Sequence, residues 1–374
     1  MSVSKSPNET NPKRDFESMI ALYLASNPAL RTNGKTNELE VRFGTVSKNT
    51  KPLSKIDYDN VVKQLFSAGF KTDNPDGNSI LRIQNEYVDV RTGLNKISNI
   101  RAEIVGMNMI QQYCVTNNIN KLIDSSPMKY NKIKFTQKSP PLINEKIIQP
   151  VDFHDFGFRV SYQMEQDFNV RTSIARNITS KWMDSKKLFR YINRVRFSHS
   201  DYPVFADISI VKGSKKTNRV PIPQYTIQEA GVFTGQESYE IELEIDNSRV
   251  GVGTPFNNVN KLINALRKCI RIVLSGLQGT NYPISYSERE SVLQGYMKQL
   301  YGKEYEPRRV FPRDFIGPAS YTLQLQNIQP LSKNTNTPNI RENYAVTDKA
   351  DGERKLLYIS DNGNIYMIVT NMNV

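Results

Sequence analysis

Residues 239–246 read Tyr-Glu-Ile-Glu-Leu-Glu-Ile-Asp. Glu240, Glu242 and Glu244 alternate with Ile241, Leu243 and Ile245. Successive side chains of a strand point to opposite faces, so three carboxylates share one face and three aliphatics the other. Same-face neighbours lie roughly 6.5–7 Å apart, where two bare carboxylates repel by about 2–2.5 kcal/mol at an effective dielectric near 20. Solvent relieves that repulsion on an exposed face. Inside a barrel it needs a cation or basic side chains. A second stretch, residues 37–44, has the same grammar: Glu38, Glu40 and Arg42 share one face, Leu39, Val41 and Phe43 the other. Two such strands some 200 positions apart predict one site assembled from both ends of a domain, against the plainer alternative of two half-buried strands with solvated outer faces.

Strands with basic faces lie between them. Phe158–Glu165 carries Arg159, Ser161, Gln163 and Glu165 in one phase, and Phe189–Ser198 carries Arg190, Arg194 and Arg196 in one phase. Val204–Val211 carries Phe205, Asp207, Ser209 and Val211 in one phase. This order of acidic, basic and acidic strands resembles the triphosphate tunnel metalloenzymes, in particular the RNA triphosphatase part of mRNA capping enzymes of large DNA viruses. The resemblance covers roughly residues 37–246.

It implies a mainly β, α+β fold in which a closed antiparallel β-barrel forms a tunnel. Glu38, Glu40, Glu240, Glu242 and Glu244 would be catalytic residues holding Mg²⁺ or Mn²⁺. Guanidinium forks match phosphate oxygens, so Arg159, Arg194 and Arg196 are the candidates for gripping a triphosphate, with Arg101 and Lys134 behind them. Glu165 goes to the same site. Asp207-Ile208-Ser209 resembles the family's Asp-x-Thr, with Ser in place of Thr. Ile192 stands where the family leads one to expect a further basic residue.

Composition sets bounds. The chain has 374 residues, with 50 Lys+Arg against 37 Asp+Glu and a formal charge of +13. Such a balance favours polyanionic partners. No apolar run is long enough for a membrane span, and the N-terminus lacks an apolar signal core. Cys114 and Cys269, in or beside helical apolar runs, read as reduced core residues of an intracellular protein. The two histidines, His154 and His199, have neither zinc-like spacing nor a triad partner. Metal or acid–base chemistry therefore falls to carboxylates, which suit hard cations such as Mg²⁺ and Mn²⁺.

Along the chain, residues 1–13 read as a disordered tail and 14–250 as the barrel domain. A helix is expected over 14–26, another over 57–68, and another over 107–123. Residues 251–302 read as a helical segment packing on the barrel. Its first helix spans 258–277 with a long apolar stripe, and its second begins at Ser287-Glu288-Arg289-Glu290, which has capping-box spacing. Residues 303–343, rich in Pro, Asn and Thr, read as a linker.

Val346 to Arg354 reads Val-Thr-Asp-Lys-Ala-Asp-Gly-Glu-Arg. It resembles the Lys-x-Asp-Gly signature of covalent nucleotidyltransferases. That resemblance makes Lys349 the guanylyltransferase nucleophile attacking the α-phosphate of GTP, with Asp351, Gly352 and Arg354 binding the nucleotide, strand-like flanks at 344–346 and 356–359, and residues 344–374 as the start of such a domain. With the remaining transferase residues absent from these 374, the expectation is an N-terminal fragment or truncated copy of a capping enzyme, without transferase activity of its own. The expected partners are the 5′-triphosphate end of nascent RNA, nucleoside triphosphates, and downstream guanylyltransferase and methyltransferase domains, in host cytoplasm, viral factory or virion. The competing readings are an inorganic polyphosphatase or nucleoside triphosphatase of the same fold, and a non-catalytic barrel that binds RNA ends.

Overall fold

The computed structural model describes residues 11–29, 34–44, 52–124, 132–143, 145–302, 304–317, 322–330, 337–348 and 351–374. The chain divides into two compact units, one ending at Pro283 and one beginning at Ile284.

The first unit is a closed barrel of eight antiparallel strands: β1 (Lys35–Phe43), β2 (Asn78–Val88), β3 (Asn95–Val105), β4 (Ile133–Ser139), β5 (Phe158–Phe168), β6 (Lys187–His199), β7 (Tyr202–Gly213) and β8 (Ser238–Ile245). The ring runs β1-β8-β7-β6-β2-β3-β4-β5 and closes because β1 also pairs with β5. A three-residue strand, Val151–Phe153, pairs with the beginning of β5. The expected tunnel architecture is present.

The alternation places polar side chains inside and apolar ones outside, the reverse of a small barrel filled by its own core. The outer face is therefore buried by helices. Helices α1 (Pro12–Ala25), α2 (Lys55–Ser67) and α6 (Val259–Gln278) cover one side, over a core that includes Leu39, Val41, Val160, Ile208, Ile241 and Leu243. Helices α3 (Met107–Thr116), α4 (Ile119–Asp124) and α5 (Ser173–Ser180) cover the other, over Leu81, Ile83, Ile104, Phe135 and Phe189, with Trp182 fully buried among them. Within the first layer α6 packs tightly on α2. A Cβ on Gly276 would lie 2.8 Å from the Val61 Cα.

Four local expectations are corrected. Helix α1 begins at Pro12, capped by Asn11, so residues 12 and 13 belong to it; residues 1–10 of the expected tail lie outside the described residues. The helix expected over 107–123 breaks at Asn117, which adopts the left-handed conformation (φ 51°). Asn117 is held there from outside the helix: Trp182 Nε1 donates to its carbonyl (3.1 Å) and the Ile227 amide to its side chain (2.9 Å). The second helix of the 251–302 segment, α7 (Tyr286–Tyr301), is capped by Ser285 rather than Ser287 and belongs to the second unit. Finally, residues 344–346 form no strand.

In the second unit, α7 buries Val292, Leu293, Tyr296 and Met297 against Tyr358 and Ile368 of a hairpin, Lys355–Ile359 with Ile365–Val369. The segment read as a linker, 303–343, contributes two 3₁₀ turns, Pro312–Asp314 and Leu325–Asn327. Lys349 lies outside the described residues. Asp351, Gly352 and Arg354 are exposed, just before the hairpin. Among the described residues no helix is long and apolar enough to cross a membrane.

Candidate active site

The barrel encloses a cavity of about 360 Å³, wholly within the first unit. Among the described residues its lining holds six carboxylates, Glu38, Glu40, Glu103, Glu165, Glu242 and Glu244, and eight cationic side chains, Arg42, Arg82, Arg101, Lys134, Lys138, Arg190, Arg194 and Arg196. Unpaired charges in so confined a space cost several kcal/mol each. Pairing is accordingly extensive, and the excess of cations favours an anionic ligand.

The acidic wall is built by β1 and β8. Their register sets Glu40 opposite Glu244 and Arg42 opposite Glu242, so the two acidic motifs are hydrogen-bonded neighbours. Arg42 Nε lies 2.8 Å from Glu242, which also faces Arg194 at 3.5 Å. Burial pushes Glu242 up, but these two guanidiniums outweigh it and its pKa is lowered. Glu240 is taken by Arg190 and lies 3.7 Å from Arg42. Glu40 is raised, by burial first and then by Glu38 and Glu242, against the pull of Lys138 and Arg42. Burial, with added repulsion from Glu38 and Asp207, pushes Glu244 up to about 7 despite Arg196 and Arg194.

On β2, β3 and β4 the balance is inverted. Glu103 is 4% exposed and held by Arg82 (2.8 Å), Arg101 (2.7 Å) and Lys134 (3.6 Å). Burial alone would raise it, but the three cations bring its pKa down to about 2. Between the two walls, Lys138 of β4 reaches Glu38, Glu40 and Glu165.

The residues expected at the site meet different fates. Glu38, Glu40, Glu242, Glu244, Glu165, Arg194 and Arg196 line the cavity together. Arg196 forms a two-pronged pair with Asp207 (2.7 Å each) and stacks on Phe205, while Arg194 reaches Asp207 at 3.0 Å. Asp207 and Ser209 are buried behind these arginines instead of lining the cavity, and Glu240, half-buried and paired with Arg190, does not line it either. Arg159 stands apart. It has the inward phase, opposite Arg42, but its guanidinium is captured by Asp152 at 2.6 and 2.9 Å and does not line the cavity. Arg101 and Lys134 do line it. Arg42, Arg82, Glu103, Lys138 and Arg190 were outside the expected set. Arg42 and Arg190 share the phase of residues that were in it. Arg82, Glu103 and Lys138 gave no local signal beyond alternation.

Among the described residues no three His, Cys, Asp or Glu side chains converge into a ready metal cluster, since the carboxylates are turned to basic partners. The donor chemistry nonetheless fits a hard divalent cation. Glu38, Glu40 and Glu244 offer only carboxylate oxygens, and Glu40 and Glu244 are held with raised pKa values that added positive charge would relieve.

No family model matches the sequence. Over 144 residues, 38% of this chain, it is 30% identical to a probable mRNA-capping enzyme of Acanthamoeba polyphaga mimivirus, and it spans about 10% of that relative's length. Among solved structures it is similar to the Mimivirus capping enzyme triphosphatase, with a TM-score of 0.41 and 16% identity, covering 70% of this chain and 96% of that one. It is also similar to the S. pombe Pct1 RNA triphosphatase, with a TM-score of 0.37 and 12% identity, covering 73% and 98%.

Proposed function

We propose that this chain is a metal-dependent RNA 5′-triphosphatase that removes the γ-phosphate of nascent RNA in the first step of cap formation. The observation that carries this reading is the cavity in which Glu38, Glu40 and Glu244 on one wall share a lining with arginines and lysines on the others. The sequence similarity to a viral capping enzyme supports it.

In this reading Glu38, Glu40 and Glu244 hold Mg²⁺ or Mn²⁺. When bound, the cation supplies Lewis-acid polarisation of a phosphoryl oxygen. Glu240 and Glu242 orient Arg190, Arg42 and Arg194 through the pairs described above. Arg194, Arg196 and Arg190 on one side, and Arg82, Arg101 and Lys134 on the other, bind the phosphate oxygens and offset the charge that spreads over them as the γ-phosphoryl group transfers. Asp207 fixes the two arginines of β6, and Glu103 fixes the opposite fan.

One observation favours a broader substrate range. Among the described residues the lining, apart from Ile80, Val105 and Gln163, is entirely charged and includes no aromatic side chain on which a base could stack. The site therefore selects the triphosphate, and nucleoside triphosphates and inorganic tripolyphosphate are expected to be accepted too. Lys349, with Asp351, Gly352 and Arg354, is proposed as the start of a GTP-binding guanylyltransferase domain. The test is release of labelled phosphate from γ-labelled triphosphate RNA with Mg²⁺ or Mn²⁺ and with chelator. Release that persists unchanged in chelator, or no release with either metal, would refute the proposal.

A further inference from the structure

Lys138 occupies a position where the site needs a cation. Its register partner is Glu165 on β5, and the side chain extends past it to the inner face of β1. There the ammonium forms an ion pair with Glu38 and lies 3.6 Å from Glu40, while Glu165 remains 3.7 Å away. Among the described residues no other Lys or Arg comes within ion-pair distance of Glu38 or Glu40. Burial alone would lower the Lys138 pKa, but the three carboxylates outweigh it and raise it, so the side chain is an ammonium at any working pH. One positive charge against this group of carboxylates still leaves Glu40 raised. The residue is also suited to move: an ammonium is a compact point charge on a flexible stem, not tied down by a two-pronged geometry.

We propose that Lys138 is a displaceable counter-ion: it neutralises the Glu38–Glu40 pair while the tunnel is metal-free, and leaves those carboxylates for the phosphate when a divalent cation takes them. This rests on the metal-dependent reading above. It couples the two halves of the site, because loading the metal frees one more cation for the anion. Lys134 provides the control. It lies on the same strand and carries the same charge, but contacts Glu103, Glu165 and Asp167.

Mn²⁺ affinity, measured by electron paramagnetic resonance without RNA, tests the exchange. Removing a resident positive charge from the ligand carboxylates should let Lys138→Met bind Mn²⁺ about tenfold tighter or more, whereas Lys134→Met should change affinity by less than about threefold. In chelator Lys138→Met should melt below wild type, and Mn²⁺ should restore it. Lys138→Gln, closer in polarity, serves if the methionine variant does not fold. Unchanged or weaker Mn²⁺ binding in the folded Lys138 variant overturns the proposal, as does an equal gain in Lys134→Met or undetectable Mn²⁺ binding by wild type. Intact Mn²⁺ effects without any release of RNA phosphate would instead remove the triphosphatase reading and leave the exchange standing.

Discussion

Glu103 and Glu244 are the same residue type, buried in the same cavity, and they end at opposite extremes. Glu103 is brought down to about 2 and Glu244 is pushed up to about 7. Desolvation raises both. The difference lies in the neighbours: three cations converge on Glu103, while Glu244 shares Arg196 with Asp207 and has Glu38 nearby. One carboxylate is saturated and acts as an internal brace. The other is short of positive charge, which is what the proposed role as a cation ligand requires. The barrel thus separates structure from chemistry by how completely each acid is paired.

The largest test breaks the brace. Replacing one partner of a buried charge cluster leaves the others uncompensated, so Glu103→Ala should lose about 3–5 kcal/mol of stability in urea unfolding. A loss under about 1 kcal/mol would show that Glu103 is not the brace. On the other wall Glu244→Ala should keep the fold but lose about 10²–10³ in RNA triphosphate hydrolysis. Near wild-type turnover would remove Glu244 from the site. The contrast should also appear without turnover. Saturating Mn²⁺ should stabilise the wild-type protein by about 2.7 kcal/mol at a hundredfold excess over Kd. Glu244→Gln should shrink that increment, and Glu103→Gln should leave most of it. Monovalent salt of matched ionic strength should not reproduce the effect.

The contrast also predicts a pH slope. Glu244 binds its proton more tightly folded than unfolded, so in chelator its contribution to stability falls as pH rises from about 4.5 to about 7, by at most about 1.4 kcal/mol per pH unit. Glu103 binds its proton less tightly folded, so its contribution is present above about 4.5 and is lost as pH falls toward about 2. Differences between wild type and Glu244→Gln should therefore concentrate in the upper window, and those for Glu103→Gln in the lower. The same window for both would erase the distinction between the two walls.

The sequence by itself determined which face of each strand is polar. A two-residue period needs no tertiary information, and the alternation of Glu240, Glu242 and Glu244 with three aliphatics was legible residue by residue. So were the apolar stripe of α6 and the acidic register of β1. Partner choice across strands was not legible. Arg159 has the inward phase that marks Arg194 and Arg196, yet a three-residue strand supplies Asp152 and takes its charge. Lys138 carried no local mark, because its importance comes from reaching past Glu165 to the strand beyond. The helix break at Asn117 is set by hydrogen bonds to Trp182 and Ile227, more than 60 and 100 residues away. Alternation is a property of the backbone. Whether a carboxylate is braced or left wanting a cation depends on how many opposite charges lie within about 4 Å, and that number exists only once the ring of strands has closed.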